Sequence, residues 1–91
     1  MFEAVGKRVR EAFGGRVEEV VIFGSRARGD WREESDLDVL VVLDRVKPWD
    51  WDIAGRLSAE LTLDLGVSVM IVLHSVKDSL YQSALREGIA I

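Results

Sequence analysis

The segment Gly24-Ser25-Arg26-Ala27-Arg28-Gly29-Asp30-Trp31-Arg32-Glu33-Glu34-Ser35-Asp36-Leu37-Asp38 decides how this chain is read. Immediately before it, Val17 and Val20 to Phe23 form a short β-branched and aromatic run, which predicts a buried strand ending at Gly24. Immediately after it, Asp36 to Leu43 predicts a second strand, apolar toward both faces from Val39 to Leu43 and therefore central in its sheet. Side chains alternate along a strand, so Asp36 and Asp38 project from the same side, about 7 Å apart. The end of the first strand can lie beside the start of the second only if the two run antiparallel. The stretch from Ser25 to Ser35 is long enough for that return. One pole of the sheet then gathers a Gly-Ser turn, two carboxylates and the arginines of the connection.

Working outward, Phe2, Val5, Val9, Ala12 and Phe13 recur at spacings of three and four, predicting a helix over about residues 2 to 13 that stops at Gly14-Gly15. Beyond the second strand Pro48 breaks the chain. Asp50 is placed to cap a helix over about 50 to 65, which carries Ile53, Ala54, Leu57, Leu61 and Leu65 and ends at Gly66. Val67 to Leu73 reads as a third strand. Ser75 with Asp78 resembles a capping box for a last helix bearing Leu80, Tyr81, Ala84 and Leu85, and Ile89-Ala90-Ile91 reads as a short edge strand. Within residues 25 to 35 the Ala-Arg-Gly step has room for one helical turn. The expected order is α-β-(turn)-β-α-β-α, an α/β (α+β) fold with a small mixed sheet flanked by helices.

Composition narrows the function. The 91 residues hold 12 Lys and Arg against 16 Asp and Glu, for a net charge of -4, and are 48% hydrophobic and 31% charged. This is the composition of one globular domain, residues 1–91, and not of a disordered tail. The acidic balance argues against general nucleic-acid binding, which needs Lys and Arg clustered over a face. Apolar runs such as Val39 to Leu43 fall far short of the roughly twenty residues of a membrane helix, and the first residues lack a secretory pattern, so a cytoplasmic location is expected. With no cysteine, disulfides, thiolate metal sites and thiol catalysis are excluded.

The chemistry that suits the Gly-Ser and Asp-x-Asp pole is phosphate chemistry. Mg²⁺ takes hard oxygen ligands, commonly one or two carboxylates with water and phosphate oxygens, and Asp36 and Asp38 are such a pair. Gly24 lets the backbone approach a phosphate, and the Ser25 hydroxyl and exposed N–H groups donate to its oxygens. Arg26 and Arg28 add charge-assisted bonds to a triphosphate. The favoured reaction is in-line displacement at phosphorus assisted by divalent metal.

Gly24-Ser25, the ten residues Arg26 to Ser35, and Asp36-Leu37-Asp38 resemble the signature of the nucleotidyltransferases of the DNA polymerase β superfamily in their minimal, stand-alone form. The motif covers about a fifth of the chain, and the order of helices and strands extends the resemblance over nearly all of it. It implies Gly24 and Ser25, with Arg26 and Arg28, on the nucleotide phosphates; Asp36 and Asp38 as catalytic ligands of Mg²⁺ or Mn²⁺; and ATP or another NTP as substrate. It further implies transfer of a nucleoside monophosphate, AMP from ATP, to a hydroxyl of a HEPN-type helical protein, with this chain as the antitoxin of the pair. So short a chain is expected to need the partner, or a second copy in a homo-oligomer, to complete the site.

One departure qualifies that expectation. Members of this family commonly carry a third carboxylate on the later strand, and here Ser68 is expected at that position, with Asp64 close by in sequence on the preceding helix. The alternative function is therefore a catalytically weak or inactive binding module that neutralises a partner by covering it. Met70 reads most simply as core, Tyr81 as core or contact, and the lone His74 as a surface or capping residue. Trp49 and Trp51 are read equally well as anchors of their helix on the core or as a partner surface.

Overall fold

The computed structural model describes residues 1–24 and 36–91. Helix α1 spans Phe2–Phe13, and a single 3-10 turn, Gly14–Arg16, leads into strand β1, Val17–Phe23. Strand β2 is Leu37–Leu43, helix α2 Asp50–Leu65, strand β3 Val69–His74, helix α3 Ser79–Glu87 and strand β4 Ile89–Ala90. The expected order holds, including both long helices and the closing edge strand. The one helical turn expected within residues 25 to 35 lies outside the described residues.

The four strands form one mixed sheet in the order β3-β2-β1-β4, so β2 is central as its two-faced apolar pattern predicts. It pairs antiparallel with β1 and parallel with β3. Val39, Val41 and Leu43 point to one side, where Val20, Ile22, Ile71 and Leu73 join them beneath Val5, Val9 and Phe13 of α1 and Leu57 and Leu61 of α2. Leu40 and Val42 point to the other side, against Val21 of β1 and Tyr81 and Ala84 of α3. Each fully buried Val or Leu contributes about 1.5 to 3 kcal/mol, so these two layers dominate the stability.

A bulge in β1 refines the strand reading. Val17 lies opposite Leu43, but Glu19 lies opposite Val42, so one extra residue sits in β1 between them. This reverses the alternation and lets Val17 face the same core as Val20 and Ile22. It also sends Glu19 to the α3 side, where its carboxylate accepts from the Tyr81 hydroxyl. Tyr81 is thus core on its ring and hydrogen-bonded at its tip.

Two capping expectations are corrected. Asp50 does open α2, but its carboxylate does not cap the helix. It is fully buried and accepts from both terminal nitrogens of Arg16 at 2.8 and 2.7 Å and from the Lys47 N–H at 2.7 Å. Arg16 also donates to the Arg45 carbonyl at 2.6 Å, so one guanidinium ties the turn after α1 to the β2–α2 connection. At α3 the cap is Asp78 itself, which accepts from the Leu80 and Tyr81 N–H groups, and Ser75 takes no part. Strand β3 begins at Val69 rather than Val67. Ser58 donates its hydroxyl to the Val69 carbonyl, and the Thr62 hydroxyl oxygen accepts from the Val69 N–H at 3.0 Å.

The Arg16 pairing holds the Asp50 carboxyl at about 2, below the ordinary carboxylate range, despite the opposing effect of burial. A group whose folded pKa is depressed stabilises the fold above its unfolded value of about 4, and that contribution is lost as pH falls toward the folded value. Asp50→Ala should therefore lower the unfolding free energy by about 3 kcal/mol at neutral pH. In urea denaturation its deficit relative to wild type should narrow between about pH 4 and pH 3. An equal deficit at both ends of the range would show that Asp50 acts by packing alone.

Candidate active site

The site is set by where α3 stops covering the sheet. On the α3 side, β1 presents Glu19, Val21 and Phe23, β2 presents Asp38, Leu40 and Val42, and β3 presents Met70, Val72 and His74. Among the described residues, helix α3 packs on Val21, Leu40 and Val42, with Phe23 partly buried against the same cluster, while Asp38 is half-buried and Met70 exposed. The antiparallel register pairs Phe23 with Asp38, so the strand leaving the first half of the signature and the strand entering the second meet side by side. The antiparallel pairing expected from the sequence is therefore present.

Gly24 follows directly, with φ of 78°. That is a left-handed conformation that side chains other than glycine rarely adopt. A Cβ built on Gly24 would collide with Oδ2 of Asp38, so two independent constraints require glycine at this position. The result is bare backbone held against a carboxylate.

Asp38 is half-buried and its carboxyl is held above its ordinary value, first by burial and then by the charge of Asp36. Neither aspartate has an ion-pair partner among the described residues. Two adjacent carboxylates, one partly desolvated and neither with a counter-charge among the described residues, are a donor pair of the kind that suits a divalent cation. Hard oxygen donors of this number suit Mg²⁺ or Mn²⁺ completed by water and phosphate oxygens. Asp36 and Asp38 are the residues that would hold such an ion. Ser25, Arg26 and Arg28 lie outside the described residues.

The third-carboxylate position is corrected by the register. The residue on β3 level with Asp38 is Met70, while Ser68 is two residues back, its carbonyl accepting the Leu37 N–H at 2.7 Å. Met70 is not core: it is 53% exposed. No group of three or more His, Cys, Asp or Glu side chains converges among the described residues. Asp64 offers no substitute, because its carboxylate is committed to Arg8 of α1 at 2.8 Å. The position of Met70 was hidden in the sequence because it depends on the parallel register of β2 and β3, which residue spacing alone does not specify.

The remaining candidates sort by location. His74 lies opposite Val42, about 13 Å along the strand from the level of Asp38, and its Nε2 is 2.9 Å from Oδ1 of the capping Asp78. Of the surface or capping role expected for it, the structure shows a contact with the capping residue rather than a cap. Trp49 and Trp51 are both more than half exposed, and the Lys47 ammonium lies 5.3 Å from the Trp49 ring centre. Surface, not core, is where they belong.

The comparisons agree with this architecture. The family described as the nucleotidyltransferase domain matches residues 3–91. The protein adenylyltransferase MntA of Thermococcus cleftensis is 35% identical over 85 residues, covering 93% of this chain and 83% of its own. A Methanocaldococcus jannaschii protein described as a candidate protein adenylyltransferase is 33% identical over 87 residues, 88% of this chain and 83% of its own. Among solved structures, a chain of a toxin–antitoxin complex with AMP-PNP superposes with a TM-score of 0.79 at 21% identity, over 97% of this chain and 69% of that one. A chain of the Shewanella oneidensis complex of tri-AMPylated HEPN toxin with MNT antitoxin superposes at 0.64 with 18% identity, over 97% of this chain and 66% of that one. The last two likenesses concern the fold. A matched family over nearly the whole chain, with Gly24 and Asp38 brought together as its signature requires, shows that this chain belongs to the nucleotidyltransferase domain family.

Proposed function

We propose that this chain is the antitoxin-type adenylyltransferase of a toxin–antitoxin pair, binding a divalent-metal complex of ATP and transferring AMP to a hydroxyl of a HEPN-type helical protein. The observation that carries the reading is the pairing of Phe23 with Asp38, which sets the bare backbone of Gly24 against the Asp38 carboxylate. The names of the sequence relatives and the partners seen in the structural relatives support the choice of AMP and of a HEPN acceptor.

In this reading Asp36 and Asp38 hold the ion. Gly24, with Ser25, Arg26 and Arg28, receives the phosphates through backbone N–H, hydroxyl and guanidinium donors. The metal, when bound, orients the attacking hydroxyl and offsets charge on the leaving group. The acceptor oxygen bonds to the α-phosphorus as the bond to pyrophosphate breaks, and pyrophosphate leaves with the bonding electrons. The hydroxyl proton passes to water, because Met70 provides no carboxylate at the level of Asp38 to receive it.

Met70 also favours a second reading, in which the fold is kept and the chain neutralises its partner mainly by covering it. The two readings separate in one assay. Incubated with Mg²⁺, labelled ATP and a HEPN-type partner, the wild-type chain should label the partner, and the double variant Asp36→Asn, Asp38→Asn should not. Absence of label above that control would reject transfer, and full neutralisation by the double variant would support the covering role. A carboxylate level with Asp38 should act as a general base, so Met70→Asp should raise the single-turnover rate by roughly tenfold or more. An unchanged rate would mean that proton removal does not limit the reaction.

A further inference from the structure

Met70 stands level with Asp38 in the parallel register of β2 and β3, on the neighbouring strand and on the same face of the sheet. Adjacent strands lie about 4.8 Å apart, so its side chain leaves the backbone next to that of the aspartate. Val69, Ile71 and Leu73 of the same strand are buried, whereas Met70 is 53% exposed. Its side chain also borders an open cleft at the outer edge of β3, beside Gly55 and Ser58 of α2, through which small solutes reach it.

An exposed thioether is open to oxidation. The chain has no cysteine and two methionines, so an oxidant that attacks sulfur meets only Met1 and Met70. The two are equally accessible, Met1 being 54% exposed, and they differ in place. Met1 precedes α1, which packs on the opposite face of the sheet from Asp38. Only Met70 adjoins a carboxylate of the candidate active site.

Oxidation changes the donor character of this position. A thioether is a soft ligand, whereas Mg²⁺ and Mn²⁺ take hard oxygen donors. No side chain of Val69–His74 carries an oxygen atom, so β3 offers the site no such donor. A sulfoxide at Met70 supplies one, on an unbranched side chain whose rotatable bonds let it turn toward Asp38.

We propose that Met70 is an oxidation site that regulates the metal and nucleotide site: its sulfoxide adds a further oxygen donor to the pair Asp36 and Asp38, and reduction removes it. The oxidant is a hydroperoxide, hydrogen peroxide in the simplest case. The Met70 sulfur attacks one peroxide oxygen with its lone pair, so the S–O bond forms as the O–O bond breaks. The proton of the transferred oxygen passes to the departing hydroxide and gives water. Sulfur loses two electrons and peroxide gains them. Methionine sulfoxide reductases, one for each epimer at sulfur, restore the thioether. The proposal rests on the metal and nucleotide reading given above and adds a control on that same site.

The test uses the full chain and Mg²⁺-ATP. Wild type treated with hydrogen peroxide should gain one oxygen at Met70 as readily as at Met1 in peptide mass spectrometry. Its calorimetric affinity for Mg²⁺-ATP should rise about threefold or more, the gain from one neutral oxygen donor, and reductase treatment should return it to the starting value. Met70→Leu, which keeps Met1, should show the same affinity before and after peroxide. An affinity unchanged or weakened when Met70 is oxidised, a rise that persists in Met70→Leu, or a Met70 that resists peroxide while Met1 reacts would overturn the regulatory site alone. Failure of untreated wild type to bind Mg²⁺-ATP would overturn the metal and nucleotide reading itself.

Discussion

The antiparallel pairing of β1 with β2 is the constraint on which the rest depends. The two halves of the signature are separated by ten residues in sequence, and neither half has any chemistry by itself. Pairing Phe23 with Asp38 brings them together at one end of the sheet. The pairing is specified by burial: β2 is covered on both faces and β1 on both after its bulge, and a slip of one residue would exchange the faces of every side chain along the ladder. It would place the aspartates in the α1 and α2 core, where an unpaired carboxylate is severely penalised. The apolar cores therefore hold the acidic residues at the open end, and the same forces that stabilise the fold position the site.

Around this pairing, the helices do unequal work. Helix α3 is short and packs on Val21, Leu40 and Val42, with Tyr81 anchored to Glu19, and Asp38 lies outside this cluster. Helix α2 is long enough to cover the opposite face and to reach round the outer edge of β3 with Ser58 and Thr62. The buried pairing of Arg16 with Asp50 fixes where α2 begins and thereby where its edge-facing residues fall along β3. No described helix is long and apolar enough to cross a membrane.

Much of this was legible in the residues. The ends of α1 and α2 were visible because Gly14-Gly15 and Gly66 interrupt clear helical periods, and Gly66 closes α2 with φ of 73°. The central place of β2 followed from its unbroken apolar run. The placement of Gly24 beside Asp38 followed once the two strands were taken as antiparallel. What escaped depended on relations between elements distant in sequence. The bulge at the start of β1 has no marker residue. Asp50 looks like a cap until Arg16, thirty-four residues earlier, is known to reach it. Met70, apolar within an apolar run, looks like core because alternation gives its parity only when the register with β2 is known. Its exposure beside Asp38 means that, among the described residues, β3 places no carboxylate level with Asp38.

The proposed function requires Gly24 and Asp38 to act as one phosphate and metal site. Isothermal titration of Mg²⁺-ATP into wild type, Asp38→Asn and Gly24→Val tests it most directly, with circular dichroism to verify that each remains folded. Micromolar binding by wild type that is lost in both variants is the predicted result, because one removes a ligand and the other forces a side chain into Asp38. Binding undiminished in both folded variants would contradict the claim that the strand pairing builds the nucleotide site.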